Sequence, residues 1–438
     1  MSAFAGSAFG VTRCGLAAFA VVAVTASAAA PQVPVGESGT FVIRGGTIVV
    51  GNGERIENGS VVIEDGRITA AGANVQAPAG AREVDAAGRF VYPGMMDART
   101  PIGLREIGQV NPMNLDSELG DYNPHNRAVV ALNVESTMIG VTRANGITHV
   151  ISAPSGGVIS GQAALINLSG WTWEDMAVNS AAAYVINYPR SGGGRGFGGG
   201  RGRGGSGAEE RVAEQVRALE DRLRTAKQHE AARAAGSERF DLQYEAMRPL
   251  VRGEVPALVS ADTKEQIEAV VALQDTFGIR VIIQGGDEAW KVAELLASKN
   301  VPVVLGSIQS TPASDAPYDA IYAQPGVLVR AGVKIAFSTG SAANARHVPY
   351  HVALAVGYGL DPDDAIRALT IWPAEIFGVA DQLGTIEAGK IANLFVASGD
   401  PLDVRTEVRE VFVAGRLVPQ DDRARLLYEK YRARPAGY

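Results

Sequence analysis

Apolar residues at the start of the ordered sequence come in short alternating bursts cut by glycine: Phe41–Arg44, Thr47–Val50, Ser60–Ile63 and Arg67–Ala70. Period-two alternation with frequent turns predicts an antiparallel sheet of hairpins, and Asp65-Gly66 is a suitable two-residue turn between the last two bursts. From about Tyr92 the pattern changes. β-branched runs such as Ile147–Ile151, Arg280–Ile283, Val301–Leu305 and Val333–Phe337 now alternate with helical segments as far as Gly378. Strand, helix, strand repetition over this length predicts an α/β fold, a TIM-like (β/α)8 barrel, over 93–378. Beyond Gly378 the strand-and-glycine pattern returns, in Gly384–Ile386, Asn393–Ala397 and Val411–Arg416. The two β-rich ends, 38–92 and 379–419, are expected to form one small β-sandwich domain beside the barrel, with 420–438 left as a C-terminal tail.

Two stretches depart from this plan. Arg190 to Gly207 reads RSGGGRGFGGGRGRGGSG, a composition that predicts a disordered loop. The stretch 208–235 is rich in Ala, Glu, Arg and Leu. It is expected as a long charged helix with a solvated surface, inserted with the loop between barrel elements.

At the N-terminus, Arg13 precedes the apolar stretch Leu16–Val24, and Ala26-Ser27-Ala28 fits a small-residue cleavage site. The expectation is a signal peptide, 1–28, and an exported, periplasmic or extracellular protein with no membrane insertion, since the apolar run is far short of the roughly 20 residues a spanning helix needs. Cleavage would remove Cys14, the one cysteine of the 438 residues, and with it disulfides, a thiolate nucleophile and thiolate metal ligands. Without Arg13 the basic residues number 39 against 47 acidic. That balance, with the export signal, argues against nucleic acid as a partner of the arginine-rich loop.

The segment Val91–Ala98, VYPGMMDA, resembles the opening of the barrel in the amidohydrolase superfamily, where it continues as PG(L/F)IDAHTH. Thr370-Ile371-Trp372-Pro373-Ala374 followed by Gly384-Thr385-Ile386-Glu387-Ala388-Gly389-Lys390 is similar to that superfamily's C-terminal T-x-N-P-A and G-x-I-x-x-G-K. The resemblance runs from about Phe41 to Val418 and is greatest to the imidazolonepropionase and prolidase-like branch. It implies hydrolysis of carbon–nitrogen bonds by zinc or another divalent metal at the C-terminal mouth of the barrel.

The positions that hold the metal in relatives are substituted here. The H-x-H after the first barrel strand is replaced by Arg99 and Pro101, the expected histidine after Val255–Val259 by Ser260, the next by Gly285, and the catalytic aspartate by Gly340. A guanidinium has no free lone pair and a proline ring no donor atom. No metal and no other cofactor is therefore expected, and Arg99 is suited instead to a ligand carboxylate.

A rescued metal site would have to draw on Asp262, His347 and His351, the last two sharing a helix face if Pro349 falls in the first turn. His125, in the polar loop that also carries Glu118 and Asp121, is a substrate-contact candidate. The glycine-rich turn Ser155–Gln162 offers amides to an anionic group. His149 reads as a satisfied core residue and His229 as a solvated one. These observations favour a metal-free relative that binds a small molecule, or serves as a homo-oligomer or the partner of an active paralogue. The alternatives are a hydrolase with a rearranged site, and nucleic-acid association through the arginine loop.

Overall fold

The structure, a computed structural model, describes residues 35–190, 207–312, 316–420 and 422–435. The expected signal peptide, and the Gly/Arg-rich loop beyond Arg190, lie outside them.

Two eight-stranded sheets organise the chain. The first holds β1 Phe41–Val49, β2 Arg55–Glu64, β3 Arg67–Gly72, β4 Arg82–Asp85 and β5 Phe90–Pro93 from the early part of the chain, with β14 Leu394–Ala397, β15 Val408–Val413 and β16 Arg416–Val418 from the late part. Its order is β16-β15-β14-β5-β1-β2-β3, with β4 on β1. The bursts 41–44 and 47–50 prove to be one strand, kinked where register shifts at Gly46. The sheet is mixed and not purely antiparallel, since β1 pairs with β4 and β5 in parallel. It also folds over on itself. Phe41 of β1 meets Phe412 of β15 edge to face at 5.2 Å, although two strands separate them in the sheet, and a shared apolar core fills the fold. Asp65-Gly66 makes the turn foreseen between β2 and β3, with positive φ at both residues.

The second sheet is the barrel: β6 Met95–Thr100, β7 Ile147–Ser152, β8 Ile159–Asn167, β9 Ala177–Asn187, β10 Ala257–Ala261, β11 Val281–Gly285, β12 Val303–Leu305 and β13 Ile335–Phe337, adjacent in that order. The expected all-parallel pattern fails at one strand. β8 runs antiparallel to both β7 and β9, because the link 153–158 is too short for the crossover that parallel neighbours require. From β9 onward every neighbouring pair is parallel.

The helices are α1 Thr137–Arg143, α2 Trp173–Met176, α3 Gly207–Ala234, α4 Leu242–Val251, α5 Lys264–Phe277, α6 Ala293–Ser298, α7 Ala320–Arg330, α8 Val348–Gly357, α9 Pro362–Leu369, α10 Ile371–Ile376 and α11 Arg423–Arg432. The last forms within the stretch expected as a plain tail. None of the described helices is long and apolar enough to cross a membrane. The helix expected at 208–235 is present as α3 but is not solvated all round. Leu219, Leu223 and Ala226, on one face, are completely buried in the main core, and α3 with α4 forms the crossover between β9 and β10. His229, on α3, is correspondingly not solvated. Its Nε2 lies 3.0 Å from Glu245 on α4, and its ring tilts against Tyr244.

Candidate functional site

Alternation fixes what faces the barrel interior. Val185, Leu258 and Ile282 belong to the interior cluster, together with Met96, Ala98, Ile151, Val304 and Ala336. Two residues further along three adjacent strands, Asn187, Ser260 and Gln284 therefore face the same way at the C-terminal mouth, and they pair in register. Ser260 donates to Asn187 Oδ1 at 3.5 Å. Asn187 in turn donates to the carbonyl of Gly157 at 2.8 Å and to Ser160 Oγ at 3.1 Å. This wall of the mouth is neutral and hydrogen-bonding.

The seam where the barrel closes is charged. The barrel closes between its first strand, β6, and its last, β13, through Asp97. This fully buried carboxylate accepts the Thr339 amide at 3.2 Å, the Thr339 hydroxyl at 2.5 Å and the Arg99 amide at 3.2 Å. A backbone bond from Gly340 N to Arg99 O, 3.2 Å, completes the seam. Burial pushes the Asp97 carboxyl up to about 7, against the pull of the Thr339 and Arg99 hydrogen bonds. Asp97 stands inside the first quoted sequence motif and Thr339 directly precedes Gly340, yet nothing in a linear pattern says that they meet, 242 residues apart.

Arg99 sits beside this carboxylate. Its Nε is shut off from water and has no hydrogen-bond partner among the described residues, and burial lowers its pKa despite the attraction of Asp97 and Asp116. The guanidinium remains charged. A β-carbon built on Gly340 would stand 3.8 Å from Arg99 Nη1, so two of the substituted positions face each other, the glycine leaving the room beside the arginine. Asp116 is itself held by Arg105 Nη2 at 2.5 Å and by Ser155 Oγ at 2.7 Å.

Across the mouth, Asp262 at the end of β10 is paired with Arg190 at 3.0 Å. Its Oδ1 lies only 2.3 Å from where a β-carbon on Gly285 would be, and Gly285 has φ +93°. A side chain at 285 would therefore require Asp262 to move.

The rescue set is not assembled. Pro349 does fall in the first turn of α8, but Asn145, in the turn leading into β7, bonds the Arg346 carbonyl at 2.8 Å and Tyr350 Oη at 3.3 Å. That contact packs the start of α8 beside α1 in the outer helical layer instead of at the ring of strand ends. His347 Nε2 accepts from Arg346 Nε at 3.0 Å, and both burial and Arg346 lower its pKa. His351 is buried, with its Nδ1 unpartnered and its pKa pulled down to about 4 by burial and by His347. Among the described residues no three His, Cys, Asp or Glu side chains group together as a metal site would require.

The structure also places two further candidates. His125 is exposed and makes no hydrogen bond or ion pair, while its loop is tied to β8 by Val158 N and Ile159 N donating to Asp121 O. The amides of Ser155, Val158, Ile159 and Gln162 are all consumed by carbonyls of residues 116–126, so they are not available to an anion. His149 is buried but only half satisfied: Nδ1 lies 2.7 Å from Thr148 Oγ1, Nε2 has no partner, and burial lowers its pKa to about 3.

Chemically, this donor set does not fit a divalent cation. A positive guanidinium, Arg99, stands at the end of the first barrel strand, Gly340 offers no side-chain oxygen beside it, and Asp262 is engaged with Arg190. The architecture is nevertheless that of the metal-dependent barrel hydrolases, a C-terminal mouth with a β-rich unit beside it. The family model described as "Amidohydrolase family" matches residues 209–418. An amidohydrolase structure from Thermotoga maritima superposes with a TM-score of 0.74 at 25% identity, covering 86% of this chain and 99% of that one. Amidohydrolase tasK of Hapsidospora irregularis is 25% identical over 78% of this chain, which spans 37% of that protein's length. A prolidase complexed with N-methylphosphonate-L-proline shares the fold, with a TM-score of 0.51 at 18% identity over 87% of this chain and 99% of its own. Residues 209–418 thus match the amidohydrolase family, and the chain as a whole shares the fold of these amidohydrolases.

Proposed function

We propose that this chain is a binding member of the superfamily, which uses a protein cation where its relatives use a metal, and that its ligand is a small molecule bearing a carboxylate. The observation that carries the reading is Arg99. Its Nε is buried without a partner at the strand end that faces the mouth, and an unpaired buried donor is costly unless a ligand supplies the acceptor. A guanidinium holds a carboxylate through two parallel hydrogen bonds, which a single point charge does not. The neutral wall of Asn187, Ser260 and Gln284 offers hydrogen bonds to an uncharged part of the same ligand.

The N-terminal pattern supports an exported protein, and the substituted metal positions support a role beside an active paralogue or within a homo-oligomer. Titration calorimetry with N-acetylglycine and succinate tests the binding reading. Saturable binding that Arg99→Ala weakens by about 1.5–3 kcal/mol is expected; binding unchanged by Arg99→Ala would sink the proposal.

A second reading, hydrolysis of a carbon–nitrogen bond through a rearranged site, is favoured by the family and by Asp97. With its carboxyl pushed up to about 7, Asp97 can exchange a proton near neutral pH. Turnover of amide substrates that is lost in Asp97→Asn, with the fold retained, would establish it.

A further inference from the structure

A second opening lies at the other end of the barrel. A cavity of about 570 Å³ is lined by residues that immediately precede β11 and β13, Arg280 and Lys334, and by the C-terminal ends of α6 and α10. It is therefore at the N-terminal face, away from the mouth. That volume falls within the roughly 300–1,000 Å³ of small-molecule sites.

The lining separates into an apolar part and a charged part. Ile282 and Ile376 reach the cavity from the barrel's interior cluster and give it an apolar inner wall. Three cations stand around them, Arg280, Lys299 and Lys334, with a single carboxylate, Glu375. Cations near helix C-termini are expected on electrostatic grounds alone, because the free carbonyls there are partly negative, so the cations must be separated by what they bond. Lys334 is paired with Glu375 at 2.8 Å, and Lys299 with Asp275 at 2.7 Å. Arg280 is exposed and makes no side-chain hydrogen bond or ion pair among the described residues. One guanidinium at the edge of an apolar recess is thus left without a counter-charge.

We infer that this cavity is a binding site for a small monocarboxylate with an apolar body. The body enters against Ile282 and Ile376, where burial of apolar surface supplies the attraction, and the carboxylate is held at the rim by Arg280 in a charge-assisted pair. One net positive charge sets the ligand's charge at minus one. The inference is independent of the mouth: it needs neither Arg99 nor any hydrolytic chemistry.

The test is titration of 4-phenylbutyrate into the full chain, followed by calorimetry and by ligand-observed NMR. Saturable binding is expected, weakened about tenfold or more by Arg280→Glu, less by Arg280→Lys, and retained in Arg99→Ala, in which the mouth no longer contributes. Arg280 is exposed, so neither of its variants should disturb folding, and Arg280→Lys provides the check by keeping the charge. Three results would overturn the inference: no saturable binding up to about 10 mM, equal binding by uncharged 4-phenylbutanol, or binding that Arg99→Ala removes and Arg280→Glu leaves intact.

Discussion

Both ends of the barrel carry charged groups, but only the seam beside the mouth buries them. At the mouth, Asp97 is wholly buried, Arg99 has a buried donor without a partner, and Asp116 is nearly inaccessible. At the base, Lys334, Lys299 and Arg280 reach solvent and surround a cavity of about 570 Å³. Buried charges are expensive and stay charged only when the fold holds them in place, whereas surface pairs contribute little. The mouth is therefore where electrostatics closes the barrel, and the base is where shape leaves room.

That contrast can be broken most directly at Asp97. Asp97→Ala strips the acceptor from the Thr339 amide and hydroxyl and leaves Arg99 without its nearest counter-charge. It should cost about 3–5 kcal/mol of stability, read from urea unfolding. A loss below about 1 kcal/mol would mean that the seam is held by backbone contacts alone.

Next in size is the ligand effect. Arg99→Ala should lower the affinity for a small acid at the mouth by about 1.5–3 kcal/mol, the range for hydrogen bonds to charged groups. The companion variant Arg99→His/Pro101→His sharpens the point. Metal analysis of the parent supplied with zinc, manganese and iron should give almost no bound metal. If the parent instead holds close to one metal per chain, the reading of the donor set is wrong.

The pH dependence is a finer probe. Because the folded Asp97 carboxyl is raised to about 7 from an ordinary value near 4, the folded state holds the extra proton between those values. Its contribution to stability is fully present below about pH 4 and lost as pH rises to about 7. Relative to Asp97→Asn, the wild type should therefore lose thermal stability between pH 5 and pH 8. The comparison with the variant is needed because His351 and His149, held neutral by burial, favour the folded state in the opposite direction, at higher pH.

The smallest effect belongs to the base. Lys334→Ala removes a pair that is about half exposed, and should change stability by less than about 1 kcal/mol in the same unfolding experiment.

Much of this was legible from the chain. The alternating ends and the strand–helix middle follow from local periodicity, and the Asp65-Gly66 turn follows from the positive φ that hairpins demand. The missing imidazoles at 99 and 101 need only the residue types. The reversal of β8 was hidden because a short link between two apolar runs does not itself announce direction. The burial of α3 was hidden because Leu219, Leu223 and Ala226 are a narrow stripe in a highly charged helix. His347 and His351 suggested a site by spacing, but spacing says which residues share a face and not what that face meets. Here it is the adjacent Arg346 and Tyr350 that meet Asn145 at the end of α1, while His351 is buried with Nδ1 unpartnered.

The sequence by itself thus determined the elements, the family resemblance and the residue types at positions 99, 101 and 340, since those depend on residue identity and short-range geometry. Tertiary structure alone decided that Asp97 meets Thr339 across 242 residues, that Arg99 lies beside Gly340, and that Asp262 fills the space beside Gly285. Each of these is a contact between strand ends brought together only when the sheet closes into a barrel, and closure is a property of the whole sheet and of no single segment.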